Sequence, residues 1–254
     1  MRSVLVPFVV LHVLVLTACG SGENEPAEPA SFEGVPWTLV SGLQASAEGA
    51  APGAAFVNGI VGGSAGCNHY TASYTVDGDK LAIGMIATTQ MACPPPLAVV
   101  EREYLAALGK VAMWEMDGDQ LVLSDEDGNE LLRYAMASVE GDYEATAVRT
   151  VKAFESVIPG TTITATFAGG TVKGSGGCNT YTAAYTVDRG TIHIGPVAAT
   201  KKVCPEPEGV MAQEAAYFAA LEAADHYRTD GPNELALKAA DDTNLVTFLK
   251  AGGS

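Results

Sequence analysis

Polar and apolar residues alternate with period two along much of this chain, most clearly from Tyr70 to Val76. Tyr70, Ala72, Tyr74 and Val76 fall on one face of an extended segment, and Thr71, Ser73 and Thr75 fall on the other. That is the pattern of a half-buried β-strand. Tyr181, Ala183, Tyr185 and Val187 repeat it. Turn dipeptides separate the alternating runs. Asn58-Gly59 lies between Ala55-Phe56-Val57 and Ile60-Val61, a type I′ hairpin signal whose counterpart is Gly169-Gly170. Asp77-Gly78 and Arg189-Gly190 lead into Leu81-Ala82-Ile83 and Ile192-His193-Ile194. Asp117-Gly118 and Asp230-Gly231 precede Leu121-Val122-Leu123 and Leu235-Ala236-Leu237. Last strands follow at Leu131–Tyr134 and Leu245–Leu249.

One kind of segment breaks the period. After Cys93-Pro94-Pro95-Pro96, apolar residues at Leu97, Val100, Tyr104, Leu105 and Leu108 form a helical stripe that stops at Gly109. Val210, Tyr217, Phe218 and Leu221 follow Cys204-Pro205-Glu206-Pro207 in the same way. The expected fold is therefore mainly β with one helix per unit. Two tandem antiparallel units of about six to eight strands would each close into a small barrel, because closure removes exposed edges. The helix would cap or plug one side.

The two units are copies. Gly63 to Asp77 returns as Gly174 to Asp188 with three differences, at an offset of 111 that Cys93 and Cys204 also keep. A period that long means a duplicated domain, since stacked solenoid units repeat every ~20–50 residues. The expected domains are 35–137 and 142–251, joined by a short boundary near Ser138–Asp142. Duplication also filters candidate chemistry, because a polar residue found in one copy alone cannot serve a role common to both.

The start of the chain differs in kind. Met1-Arg2-Ser3, an apolar run from Val4 to Leu16, and small residues before Cys19 read as a secretory signal over 1–18. The run is too short for a spanning helix, which needs ~20 apolar residues. Leu16-Thr17-Ala18-Cys19 resembles the bacterial lipobox, which implies lipidation of Cys19, cleavage before it, and a lipid-anchored extracytoplasmic protein. Residues 19–34, rich in Gly, Pro, Ala and Glu, read as a flexible acidic tether. The formal net charge of −16 argues against nucleic acid and against basic adhesion to anionic lipid.

Once Cys19 carries lipid, four cysteines remain. The repeat singles out Cys67 with Cys93 and Cys178 with Cys204; buried free thiols are the alternative reading. No metal site is expected, because no C-x₂-C pair exists and no histidine recurs between copies. His69, His193 and His226 are each confined to one copy, so none is a shared general base. Asp77, Asp188, Asp117 and Asp230 belong to turns, and Asp125 to Glu130 reads as a hairpin turn rather than a calcium loop. The glycines from Gly59 to Gly66 lead into a strand, not a helix, and so are no phosphate loop. Glu101 and Glu214 are expected to face solvent or to position the helix. The shared polar residues Ser64/Ser175, Asn68/Asn179, Tyr70/Tyr181 and Thr89/Thr200 gather around the cysteines. They either satisfy backbone where the strand bends or form a binding surface, with Asn68, Tyr70, Asn179 and Tyr181 its candidates.

Trp37, the Gly-Ser-x-Gly-Cys-Asn-x-Tyr run, Thr89 to Pro94, the Glu101–Leu108 helix and the Leu121–Leu123 strand together resemble the META-domain (HslJ-like) lipoproteins. The second copy matches from Ser175 to Leu237, with Tyr143 the best counterpart of Trp37 and a longer loop after it. The resemblance implies a small β-barrel with a helix, in bacterial envelope proteins linked to the heat-shock response and to novobiocin resistance. It implies no catalytic activity and no cofactor. The expected protein is thus a non-enzymatic envelope lipoprotein, anchored to the membrane through its N-terminus, with a structural, stress-related or protein-interaction role. The alternative is a barrel that takes a small apolar ligand or lipid.

Overall fold

A computed structural model of the chain describes residues 32–46, 51–230 and 233–251. The leader 1–18, Cys19, the tether up to residue 31 and Gly231 of the Asp230-Gly231 turn lie outside the described residues.

The first copy runs β1 (Pro36–Ser41), β2 (Gly53–Val57), β3 (Ile60–Ser64), β4 (His69–Asp77), β5 (Lys80–Ile83), β6 (Ala87–Thr88), α1 (Pro95–Leu108), β7 (Met113–Asp117), β8 (Gln120–Ser124) and β9 (Glu130–Met136). Paired neighbours follow the order β3-β2-β1-β9-β8-β7-β5-β4, and β4 pairs back onto β3. Eight antiparallel strands therefore close a barrel, with β6 lying on β4 outside the ring.

The second copy runs β10 (Gly141–Arg149), β11 (Phe154–Ser156), β12 (Thr164–Ala168), β13 (Thr171–Ser175), β14 (Thr180–Asp188), β15 (Thr191–Ile194), β16 (Ala198–Ala199), α2 (Val210–Glu222), β17 (His226–Asp230), β18 (Glu234–Lys238) and β19 (Asn244–Lys250). Its ring is β10-β12-β13-β14-β15-β17-β18-β19, closed by β19 pairing with β10. β11 pairs with β10 and stands off the ring. Trp37 lies opposite Ala54 and Tyr143 opposite Ala165, which makes Tyr143 the counterpart of Trp37.

Alternation places the cores. Tyr70, Ala72, Tyr74 and Leu81 point inward in the first barrel, as do Tyr181, Ala183, Tyr185, Ile192 and Ile194 in the second. Val187 departs from the expected face. It is 38% exposed, two residues before the Arg189-Gly190 turn, where β14 has left the core. The turns also sit one residue on from two of the dipeptides. Asp77 pairs with Lys80 and Asp117 with Gln120, so Gly78-Asp79 and Gly118-Asp119 form the loops. Gly78 and Gly118 carry the positive φ, 63° and 62°, that a side chain would resist.

The helices plug the barrels. Tyr104 of α1 and Tyr217 of α2 are wholly buried, each on the stripe read from sequence. The tether boundary needs correction, since the ordered domain begins before residue 35. Phe32 is wholly buried, packs edge-on to Phe56 at 4.9 Å and to Trp114 at 4.6 Å, and its carbonyl accepts from Trp37 Nε1. One phenylalanine within a Gly/Pro/Glu-rich stretch carries no periodicity, so sequence pattern could not reveal it.

Two glycines set how closely β2 and β12 approach the neighbouring strand. A Cβ on Gly63 would lie 2.4 Å from the Gly53 carbonyl oxygen, and one on Gly174 would lie 2.0 Å from that of Thr164. Those same carbonyls accept hydrogen bonds from the Tyr70 and Tyr181 hydroxyls. Gly174→Ala should therefore cost about 2–3 kcal/mol through backbone displacement and loss of the tyrosine bond. Denaturant titration of the variant checks this; an unchanged midpoint would refute the close-approach account.

Candidate functional site

The sequence elements common to both copies converge at one place in each barrel, where the Gly-Cys-Asn bend meets the helix. Gly66 and Gly177 take φ of 106° and 110°, a conformation open to glycine. The bend turns the next backbone N–H groups toward a helix carboxylate. In the second barrel Glu214 Oε2 accepts from Cys178 N at 3.0 Å and Asn179 N at 2.5 Å, while Oε1 accepts from Asn179 Nδ2 at 2.6 Å. In the first, Glu101 Oε2 accepts from Asn68 N at 2.9 Å and Asn68 Nδ2 at 3.0 Å.

The asparagine amide clamps a second loop. Asn68 Oδ1 accepts from Thr89 Oγ1 and Met91 N, and Asn179 Oδ1 accepts from Thr200 Oγ1 and Lys202 N. Ser64 and Ser175 accept from the N–H groups of Gly66 and Gly177 within the bend. Disulfides join the same two loops: Cys67 to Cys93 and Cys178 to Cys204. Each closes a sequence separation of 26, worth about 3.5 kcal/mol on the chain-entropy account. Replacing Cys178 and Cys204 by serine should lower stability by roughly that amount, read by urea titration. Peptide mapping of unreduced protein should recover the two intra-barrel links, and a link between barrels would overturn them.

Deeper in, the tyrosines form a hydroxyl cluster. Tyr104 meets Tyr70 at 2.8 Å and Tyr134 at 3.0 Å, and also donates toward the Gly53 carbonyl. Tyr217 meets Tyr181 at 2.6 Å, while Phe248 packs where the first barrel has Tyr134. Burial pushes the hydroxyls of Tyr70, Tyr104, Tyr134, Tyr181 and Tyr217 well above the ordinary tyrosine range.

Two open alternatives close here. Asn68, Tyr70, Asn179 and Tyr181 form no exposed binding surface: all four are at most 4% exposed and spend their polar atoms within their own barrel. Of the two readings of Glu101 and Glu214, helix positioning holds: Glu214 is 4% exposed, Glu101 is half-buried, and both tie the bend to the helix. A signal for the glutamates was present. Each precedes a core tyrosine by three residues, which puts both on one helix face. Of the histidines, His226 lies between Asp225 and Asp242, while His69 and His193 project from β4 and β15. Asp125 Oδ1 accepts from Asp127 N and Asn129 N, which makes that acidic run a tight turn.

A family model described as the META domain matches residues 30–138 and again 136–252. The chain belongs to the META-domain family. Both META domains carry the bend, the disulfide and the helix glutamate. A solved NMR structure of a protein from Burkholderia xenovorans is similar at 22% identity, covering 50% of this chain and 99% of its own, with a TM-score of 0.37. A second NMR structure is similar at 21% identity, covering 41% of this chain and 90% of its own, with a TM-score of 0.33. No curated protein sequence matches the chain.

Proposed function

We propose that this tandem META-domain protein is a non-enzymatic lipoprotein of the bacterial cell envelope, held to the membrane through Cys19. Its two barrels would act as rigid modules in a structural, stress-protective or protein-interaction role. One observation carries the reading: both domains commit the same polar side chains to their own backbone. Ser64, Asn68, Thr89, Glu101 and their counterparts in the second copy bind N–H groups or one another within each barrel. A general base needs a free lone pair beside a nucleophile, and the residues common to both copies are already engaged. The location rests on the signal pattern and on disulfides, which persist in oxidising compartments.

Intact mass of the N-terminal peptide from envelope fractions should show a lipid-modified Cys19, and Cys19→Ala should leave the leader unprocessed. An unmodified cysteine defeats the lipoprotein reading. Ester, peptide, phosphate and glycosidic substrates should turn over no faster than background. Turnover abolished by a His226 substitution would defeat the non-enzymatic reading.

A further inference from the structure

The second barrel carries a feature on its flank that has no counterpart among the described residues of the first. From Tyr143 to Ala165 the chain is longer than from Trp37 to Ala54, and the extra length builds the β10–β11 hairpin. Between that hairpin and α2 runs a groove of about 630 Å³. That volume lies within the ~300–1,000 Å³ of small-molecule sites. Ala212, Ala216 and Ala219 form one wall, and Val148 and Ile158 line the hairpin side. The wall is braced from within. Gln213, 6% exposed, accepts from Ile158 N at 2.6 Å and donates to Thr161 Oγ1 at 3.2 Å.

The first barrel serves as an internal control. Glu101 and Glu214 align the two helices, which sets Val99 against Ala212 and Glu103 against Ala216. Glu103 Oε2 accepts from Gln44 N and Ala45 N, drawing its loop onto α1. Ala216 offers no such acceptor, and the groove opens beside it, between α2 and the hairpin. Methyl groups line the space that results.

The rim is charged in a specific way. Lys152 and Glu155 both border the groove, yet no ion pair joins them among the described residues. Glu155 Oε2 accepts from the Thr150 hydroxyl at 2.9 Å and keeps its other oxygen for a cation. An apolar trough edged by one separate cation and one separate anion complements an alkyl chain carrying a zwitterionic headgroup. We propose that this groove binds a single-chain zwitterionic amphiphile of the lysophospholipid class. The chain lies along the alanines, its phosphate faces Lys152, and its ammonium faces Glu155. This goes beyond the rigid-module reading and does not depend on it.

The test is calorimetry of the full chain with myristoyl lysophosphatidylethanolamine below its micellar concentration. One molecule should bind per chain. Lys152→Glu, an exposed change that leaves packing intact, should weaken binding at least tenfold. Ala216→Glu, which restores the first barrel's carboxylate, should abolish it while the far-ultraviolet circular dichroism stays unchanged. Three results would overturn the proposal: no saturable binding, equal affinity for an uncharged alkyl glucoside of the same chain length, or affinity indifferent to both substitutions. Protection of Ala212 and Ala216 by a second copy or by a bound peptide, with no response to the lysolipid, would overturn it equally. Loss of Cys19 lipidation with lysolipid binding intact would strike the anchoring reading alone.

Discussion

Asn179→Ala is expected to unfold the second barrel selectively. The substitution removes the Nδ2 donor that Glu214 Oε1 holds at 2.6 Å, and it strips Thr200 Oγ1 and Lys202 N of their acceptor. Glu214 is nearly fully buried, and its contacts are N–H groups rather than a cation. Breaking such a network costs about 3–5 kcal/mol, because the partners left behind stay desolvated. Asn68→Ala should cost less, about 2–3 kcal/mol, since Glu101 is more open to water. The chain supplies its own reporter for the difference. Its two tryptophans, Trp37 and Trp114, both lie in the first barrel. Urea titration of Asn179→Ala should show an early loss of circular dichroism with no matching change in tryptophan fluorescence. Coincident transitions at the wild-type midpoint would refute the assignment.

Alkaline pH should unfold the protein cooperatively before its tyrosines ionise one by one. Every one of the nine tyrosines is held above its ordinary value, with burial the leading cause. Tyr227, for example, is pushed up to about 12. The direction of the effect follows from linkage. The unfolded chain gives up its phenolic protons near pH 10, while the folded chain keeps them. The stabilisation is therefore complete below pH 10 and drains away as pH climbs toward the folded values. Each tyrosine that stays protonated adds ~1.4 kcal/mol of loss per pH unit. Four of the nine lie in the first barrel (Tyr70, Tyr74, Tyr104 and Tyr134) and five in the second (Tyr143, Tyr181, Tyr185, Tyr217 and Tyr227), so both barrels lose stability together. Absorbance near 295 nm, followed together with circular dichroism, should rise in step with unfolding. A gradual rise centred on pH 10 in folded protein would contradict the burial assigned here.

The residues that sequence revealed most plainly are those with a period or a copy. Tyr70 to Tyr74 and Tyr181 to Tyr185 announce their buried face by alternation, and the matched spacing of the cysteines announces its pairing. What stayed hidden depends on contacts remote in sequence. Asn68 and Asn179 look like exposed polar residues until α1 and α2 bring a carboxylate beneath them, 33 and 35 residues away. Phe32 joins the core only because Trp37, Phe56 and Trp114 leave a place for it. Compensation between copies was equally silent. Gly176 replaces Ala65 where the bulkier Phe218 replaces Leu105, and a Cβ at 176 would come within 2.7 Å of that ring. Neither change alone has a meaning in one dimension.

Each ring is joined at its thinnest point by a single bridge, Lys80 with Met113 in one and Thr191 with His226 in the other. In the second barrel the strand at that joint, β17, leans on β1, β2 and β3 of its neighbour. Tyr227 donates to the Ala137 carbonyl at 2.6 Å, and Arg228 to that of Gly34 at 3.2 Å. The duplicated halves are therefore unequal in dependence. The second has its weakest stave held shut by the first, whereas the joint at Lys80 and Met113 receives no such brace among the described residues. The two copies thus meet unequal demands: one keeps its ring closed unaided, and the other shares that task with its neighbour while carrying an added hairpin on its flank.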